Sequence, residues 1–262
     1  MLTGFVRKVC CAIELLKVGG IKEFFRQLKR QIYCKDTYIG LEKNLQENGN
    51  LAQTECKIKY SLGLATKKDI DEILQKAKTE SKESVYDLVF RKWLYECGFH
   101  NWHIARAVDT DEICFMQSVI HSENNHTDNG NIKNCFAKLK EGEALLEGAY
   151  TFEKYRGNRL HPSVVFDILE IYRKKGFKHV ITYIKDDNEA SLKGAERLGF
   201  TQFQEVHKLN FLFKKKIKIK RIDNLDKLNG KIHELGVLSN RPSLLPEDLN
   251  TKRKAQQHQL IR

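Results

Sequence analysis

Residues 143–200 read EALLEGAYTF (143–152), EKYRGNRLHP (153–162), SVVFDILEIYRKKG (163–176) and FKHVITYIKDDNEASLKGAERLGF (177–200). The first segment is rich in apolar and aromatic groups, which predicts a strand. Gly148 inside it marks a bulge or a close backbone approach. Pro162 suits the first turn of a helix, where its missing N–H would be unpaired anyway. Val164, Val165, Ile168, Leu169 and Tyr172 then recur at helical spacing, and Gly176 is a stop. His179 to Ile184 is β-branched and aromatic and predicts a second strand. Asn188 caps a further helix that Gly199 ends. Strand, crossover helix and parallel strand make a βαβ unit, which places ligands at its strand ends.

The turn Tyr155-Arg156-Gly157-Asn158-Arg159-Leu160-His161 carries the chemistry of this stretch. Backbone amides at a helix start, together with the helix dipole, form a site for a polyanion such as pyrophosphate. Arg156 and Arg159 add charge of the matching sign. An ordinary basic strand-to-helix turn is the alternative reading of the same residues.

These residues resemble the acetyl-CoA-binding core of the GNAT superfamily of acyltransferases. Arg156 matches the first position of that family's Arg/Gln-x-x-Gly-x-Gly/Ala turn, and Tyr155-Arg156-Gly157 matches its lead-in. Asn188, Ser191, Gly199 and Phe200 match its downstream Asn-x-x-Ala/Ser helix ending in Gly-Phe. Arg159 and His161 depart from it, standing where the family has small residues. The motifs lie in 143–200, with weaker resemblance over 57–222. The resemblance implies an α/β fold with a GNAT-like mixed central sheet and flanking helices, and acetyl-CoA as co-substrate. It implies cofactor contacts from Ala149, Tyr150, Arg156, Gly157, Asn158, Arg159, Leu160, His161, Asn188 and Ser191.

The expected reaction moves an acetyl group from the thioester to a primary amine of a small molecule, such as an amino sugar or amino acid, by direct attack. A peptide terminus also fits the chemistry. Glu147 is the first candidate base, acting directly or through water. His161 is the second, since its ordinary pKa suits proton transfer near neutrality. A solvated strand-face carboxylate is the other reading of Glu147. Amides freed by a bulge at Glu147-Gly148-Ala149 would polarise the thioester carbonyl. Many GNAT enzymes take their acid from a tyrosine in the last helix. Ala195 stands at that position here, leaving Tyr150 and Tyr183 as substitutes. The competing reading is a non-catalytic CoA-binding or scaffold module.

The chain has 262 residues, 41% hydrophobic and 31% charged, with a net charge of +12. Such a chain can bury a full core. The charge fits nucleic acid, an anionic membrane surface or a polyanionic ligand. No apolar run approaches the roughly 18 residues a membrane span needs. Seven scattered cysteines point to a reducing cytoplasm.

Residues 1–56 read as an amphipathic helical arm and linker, 57–222 as the acyltransferase domain, and 223–262 as a short helix and basic tail. In the arm, two basic amphipathic helices break at Gly19-Gly20. Phe5, Val9, Ala12, Ile13 and Leu16 form one stripe; Ile21, Phe24, Phe25, Leu28 and Ile32 form the other. Packing on the arm's own domain or on a twin subunit is one reading, with a homodimer as its consequence. Peripheral contact with the inner membrane face, or with a partner, is the other. Residues 38–41 form a short apolar stretch, and 42–54 a polar linker. Strands are predicted at 58–64, 102–108 and 113–120. Thr66 to Asp69 and Ser84 to Asp87 are capping patterns that open helices. Residues 132–139 predict a short helix, and 201–213 with 214–222 a closing hairpin. The Lys214–Arg221 charge run lacks the interleaved aromatics of a nucleic-acid surface and reads as a solvated strand face, so no specific nucleic acid is expected. Cys97, His100, His103, His121, Glu123 and His126 lack a recognised ligand spacing, so no metal is expected.

Overall fold

The computed structural model describes residues 2–46, 55–77, 79–126, 139–212 and 214–222. The helix expected at 132–139 and the tail from 223 onward lie outside these residues, apart from Leu139. Eight strands are described: β1 (Tyr33–Asn44), β2 (Tyr60–Leu64), β3 (Trp102–Ala107), β4 (Ile113–His121), β5 (Glu143–Thr151), β6 (His179–Lys185), β7 (Thr201–Phe211) and β8 (Lys214–Arg221). They form one mixed sheet in the order β2-β3-β4-β5-β6-β1-β7-β8. The helices are α1 (Leu2–Ile32), α2 (Lys67–Lys76), α3 (Lys82–Glu96), α4 (Leu160–Lys174) and α5 (Glu189–Arg197). All neighbouring strands are antiparallel except β5 and β6, which run parallel across α4. This is the expected mixed α/β architecture with α1 ahead of the sheet.

Local signals locate most elements. Thr66 caps α2 as a capping box: its Oγ1 accepts from the Asp69 amide, and Asp69 accepts from the Thr66 amide. Asn188 caps α5, its side chain accepting from the Ser191 amide at 3.2 Å. Helix α1 breaks at Gly20, whose φ of 74° lies in the left-handed region. Between the sheet and its helices lies a core that includes Trp102, Phe115, Met116, Leu145 and Ile168, all fully buried. Burying one such side chain contributes about 1.5–3 kcal/mol.

Two elements differ from the sequence reading. Residues 33–44, expected in the arm and linker, form a strand inside the sheet. Tyr38 to Asn44 pair with β6, and Tyr33 to Glu42 pair with β7. The strand escapes an apolar-alternation test because its inward groups are partly polar. Asp36 is buried yet meets Arg30 at 2.9 Å and Lys185 at 3.4 Å. Thr37 meets His207 at 3.3 Å. Ladders on both sides hold a segment that would not hold itself. Helix α3 also begins earlier than its Ser84 capping pattern, at Lys82. A tertiary bond sets that entry: the Ser81 amide donates to Glu153 at 3.2 Å.

At Gly40, β1 passes close to its neighbours. A Cβ there would lie 2.7 Å from Gln204 Cγ and 3.0 Å from Tyr183 Cε1. Gly40→Ala is therefore expected to destabilise the fold by about 1–3 kcal/mol through overpacking. Urea unfolding measures this, and an unchanged midpoint would contradict the close approach.

Candidate active site

The parallel pairing of β5 and β6 runs from Glu143 opposite His179 to Leu146 opposite Thr182, and stops there. Thr182 Oγ1 donates to the Leu146 carbonyl at 3.2 Å and so ends the ladder. Beyond this point β5 stays on β4, while Tyr183, Ile184 and Lys185 stay on β1. Different neighbours thus draw the two strands apart. A cavity of about 240 Å³ fills the opening, lined by residues from both strands, α3, α4, α5 and β1.

A bulge shapes the β5 side. Met116 pairs with Tyr150 and Ser118 with Glu147, so Gly148 and Ala149 both face Gln117. Gly148 has φ 68°, and a Cβ there would meet Trp102 Cη2 at 3.2 Å and Arg91 Nε at 3.4 Å, so glycine is required. Three successive carbonyls are capped by side chains. Gln117 Nε2 donates to the Glu147 carbonyl at 2.8 Å. Arg91 donates from Nε to the Gly148 carbonyl at 2.8 Å and from Nη2 to the Ala149 carbonyl at 3.2 Å. A trans peptide sets its C=O and the following N–H in opposite directions. The Gly148 and Ala149 amides therefore point away from these donors.

The strand-to-helix turn is held from both ends. Asn158 Nδ2 donates to the Tyr155 and Arg156 carbonyls, and the Lys57 amide donates to the Asn158 carbonyl at 3.0 Å. Arg159, in the left-handed region at φ 58°, precedes α4, and Ser163 Oγ donates to its carbonyl at 3.0 Å. In the first turn of α4 the Leu160 and His161 amides have no partner within the helix. Arg156 folds back along β5: Nε donates to the Thr151 carbonyl at 3.1 Å, and the guanidinium lies over the Tyr150 ring at 5.6 Å. Arg156, Gly157 and Arg159 are exposed.

Of the residues singled out by sequence, Glu147, Ala149, His161, Asn188 and Ser191 line the cavity. Tyr150, Arg156, Gly157, Asn158, Arg159 and Leu160 do not. They form the turn and its approach, continuous with the cavity along the chain through His161. Leu160 buries its side chain in the core, so only its backbone faces outward chemistry. Tyr150 donates to Glu80 and stands outside the cavity lining, whereas Tyr183 lines it. Ala195 lines it too, buried. Sequence reasoning missed Tyr38, Asp87, Arg91, Gln117 and Lys185. A charge at Arg91 amid the apolar run of α3, and an amide inside the fully buried β4, were available signals.

Burial holds His161 well below the usual histidine range, at about 4, although its ring keeps an edge toward the cavity. It packs against Phe115, ring centroids 5.7 Å apart. It is therefore neutral near neutrality and a weak base, so burial removes the ordinary pKa on which its candidacy for proton transfer rested. The Tyr183 hydroxyl accepts from Gln204 Nε2 at 2.9 Å, and burial raises its pKa. Lys185 is held protonated by its bond to Asp187 at 2.6 Å, with Asp36 beyond. Among the described residues, no three histidine, cysteine or acidic side chains converge as a metal site. His103 meets Tyr172, and His121 meets Asn101 and Glu123.

No protein-family model matches the chain. N-alpha-acetyltransferase 30 of Schizosaccharomyces pombe is 23% identical over 141 residues, which is 54% of this chain and 81% of that protein. A GCN5-related glucosamine N-acetyltransferase region, part of a fungal multi-domain GH3 β-N-acetylglucosaminidase, superposes with a TM-score of 0.51 at 13% identity. The match covers 72% of this chain and 22% of that one. The GCN5-related N-acetyltransferase of Sphaerobacter thermophilus aligns at a TM-score of 0.46 and 10% identity, over 75% of this chain and 55% of that one. This chain thus spans well under two thirds of either solved chain. The fold is that of the GNAT acetyltransferases.

Burial also holds His103 at about 4, against about 6.5 for a histidine in an unfolded chain. Between those values the folded state binds fewer protons than the unfolded one. The stability contributed by neutral His103 and His161 is thus complete above about pH 6.5 and lost as pH falls toward about 4. Urea midpoints are expected to drop across that window. His103→Phe should flatten the drop by on the order of 1 kcal/mol per pH unit. An identical slope in parent and variant would contradict the assignment.

Proposed function

We propose that this protein is an acyl-CoA-dependent N-acetyltransferase that acetylates a primary amine of a small molecule. The observation carrying this reading is the opening between β5 and β6 past Leu146 and Thr182, beside a bulge whose carbonyls are tied back. Strands separated in this way present backbone edges that an extended, amide-bearing arm can pair with. Acetyl-CoA has such an arm, ending in an acyl thioester at one end and a pyrophosphate at the other.

The residues present fit that ligand. The turn before α4 offers the Leu160 and His161 amides, a glycine at positive φ and two exposed arginines to a pyrophosphate. Asn188 and Ser191 bring the start of α5 to the same cavity. When bound, the cofactor supplies the activated acetyl group. Tied back by Gln117 and Arg91, the bulge turns its amides toward the position of an oxyanion. Glu147 accepts the proton that an ammonium substrate must lose before attack. His161, neutral at working pH, packs beside the site without the basicity this proton transfer needs. Tyr183 takes the role of proton donor to the departing thiolate. Its oxygen already accepts from Gln204, so its own proton is left to point elsewhere.

A peptide α-amine is the second reading of the acceptor. It is favoured by the similarity to a protein named for N-alpha acetylation.

Acetyl-CoA should raise the thermal unfolding midpoint by mass action, and Arg156→Ala should reduce that rise. Release of free thiol with a panel of amino sugars, amino acids and short peptides then identifies the acceptor. Glu147→Gln is expected to lower kcat by about 10²–10⁴. Tyr183→Phe should lower kcat while leaving KM near its parent value. Binding without thiol release on any amine would favour a non-catalytic CoA-binding module, and absence of binding would falsify the reading.

A further inference from the structure

The second half of α1 is packed with its polar side inward. Glu23 and Gln27 are each only 4% exposed, while Ile21 is 65% and Phe25 57% exposed. A local network makes the inward side possible. Glu23 accepts from Arg26 Nε at 2.6 Å and from Gln27 Nε2 at 2.7 Å. A Cβ at Gly19 would meet Glu23 at 3.0 Å and Val85 of α3 at 3.3 Å, so this side lies close against the domain. Of the apolar stripe read from the sequence, Ile21, Phe25 and Ile32 therefore face outward, while Phe24 and Leu28 are half-buried.

Helical geometry places Ile21, Phe25, Leu28 and Ile32 along one line of the outer face. Lys22, Arg26 and Lys29 run beside them, about 100° round the helix, and all three are exposed. Before the break at Gly20, Leu16 and Lys17 are exposed as well. Glu23 is the single acidic residue between 15 and 32, and it is turned inward. At the far end, the Ile32 carbonyl accepts from the Leu212 amide at 2.8 Å, and Tyr33 pairs with Phe211. Tyr33, Phe211 and Leu212 are all exposed there, with Lys214 opposite Phe211. One surface thus joins an apolar ridge, an aromatic end and a cationic border.

We propose that this face, from Ile21 to Ile32 with the Phe211–Leu212 turn, docks onto the surface of an anionic phospholipid bilayer. Basic residues bordering an outward apolar stripe match acyl chains flanked by negative headgroups. A second copy of the chain fits less well, because a two-fold pairing of this face would set lysines against lysines with no acid between them. The helix lies on the bilayer and does not cross it: among the described residues no helix is long and apolar enough to span.

The test is co-sedimentation of the full chain with vesicles of phosphatidylglycerol and phosphatidylcholine in equal parts, against phosphatidylcholine alone. The protein should pellet with the anionic vesicles, less so as salt rises, and stay in the supernatant with the neutral ones. Ile21→Ser with Phe25→Ser should lower partitioning by about tenfold or more. Lys22→Glu with Lys29→Glu should lower it by at least about fivefold per charge. These positions are exposed, so unchanged thermal midpoints would show that the variants still fold. An absence of binding to anionic vesicles would overturn the proposal, as would binding that both variants retain. A parent that ignores vesicles, but forms a dimer that the serine pair dissociates, would overturn it in favour of a second copy.

Discussion

The guanidinium of Arg91 is buried under two backbone carbonyls of a neighbouring strand, and the shape of the cavity follows from that placement. A β5 without the bulge would continue its ladder with β6 or twist back onto it. With Gly148 and Ala149 bonded to Arg91, and Glu147 to Gln117, the backbone is committed to α3 and β4 at the point where the parallel pair ends. A charged group taken out of water needs such partners, since an unpaired one would cost several kcal/mol. Arg91 also lies over Tyr150 at 5.3 Å, and Arg156 lies over the same ring. That ring joins the bulge to the basic turn before α4, so the two parts of the site share one support.

The other side of the opening is held by β1. Because β1 pairs with β6 through Lys185, it draws Tyr183, Ile184 and Lys185 away from β5. It also sends Tyr38 to the cavity and leaves room at Gly40 for Tyr183 and Gln204. A segment close to the start of the chain therefore belongs to the middle of the sheet. Helix α1 sits directly before it, with Arg30 bonded to Asp36, and the orientation of the helix is tied to that of the strand. The outward apolar face of α1 is a consequence: Glu23 and Gln27 satisfy each other against the domain, and the helix has only one other side to show.

What the sequence by itself determined was local in origin. The crossover unit of 143–200, the glycine bulge, the capping box at Thr66, the cap at Asn188 and the break at Gly20 each depend on a few residues whose backbone preferences act at short range. Ala149, His161, Asn188 and Ser191 were singled out through the resemblance of those motifs to the GNAT core, and Glu147 as a candidate base beside the bulge; the fold brings all five to the cavity. Tertiary structure alone decided the rest. Nothing in residues 33–44 announces a central strand, since its polar side chains are paid for by Arg30, Lys185 and His207, all remote in sequence or in another element. Tyr38, Arg91 and Gln117 joined the site for the same reason: each contributes through contacts whose partners are set only when the sheet closes. The direction of the α1 stripe was undecided as well. Periodicity gives a helix two faces, and which one meets the domain depends on the surface it finds there.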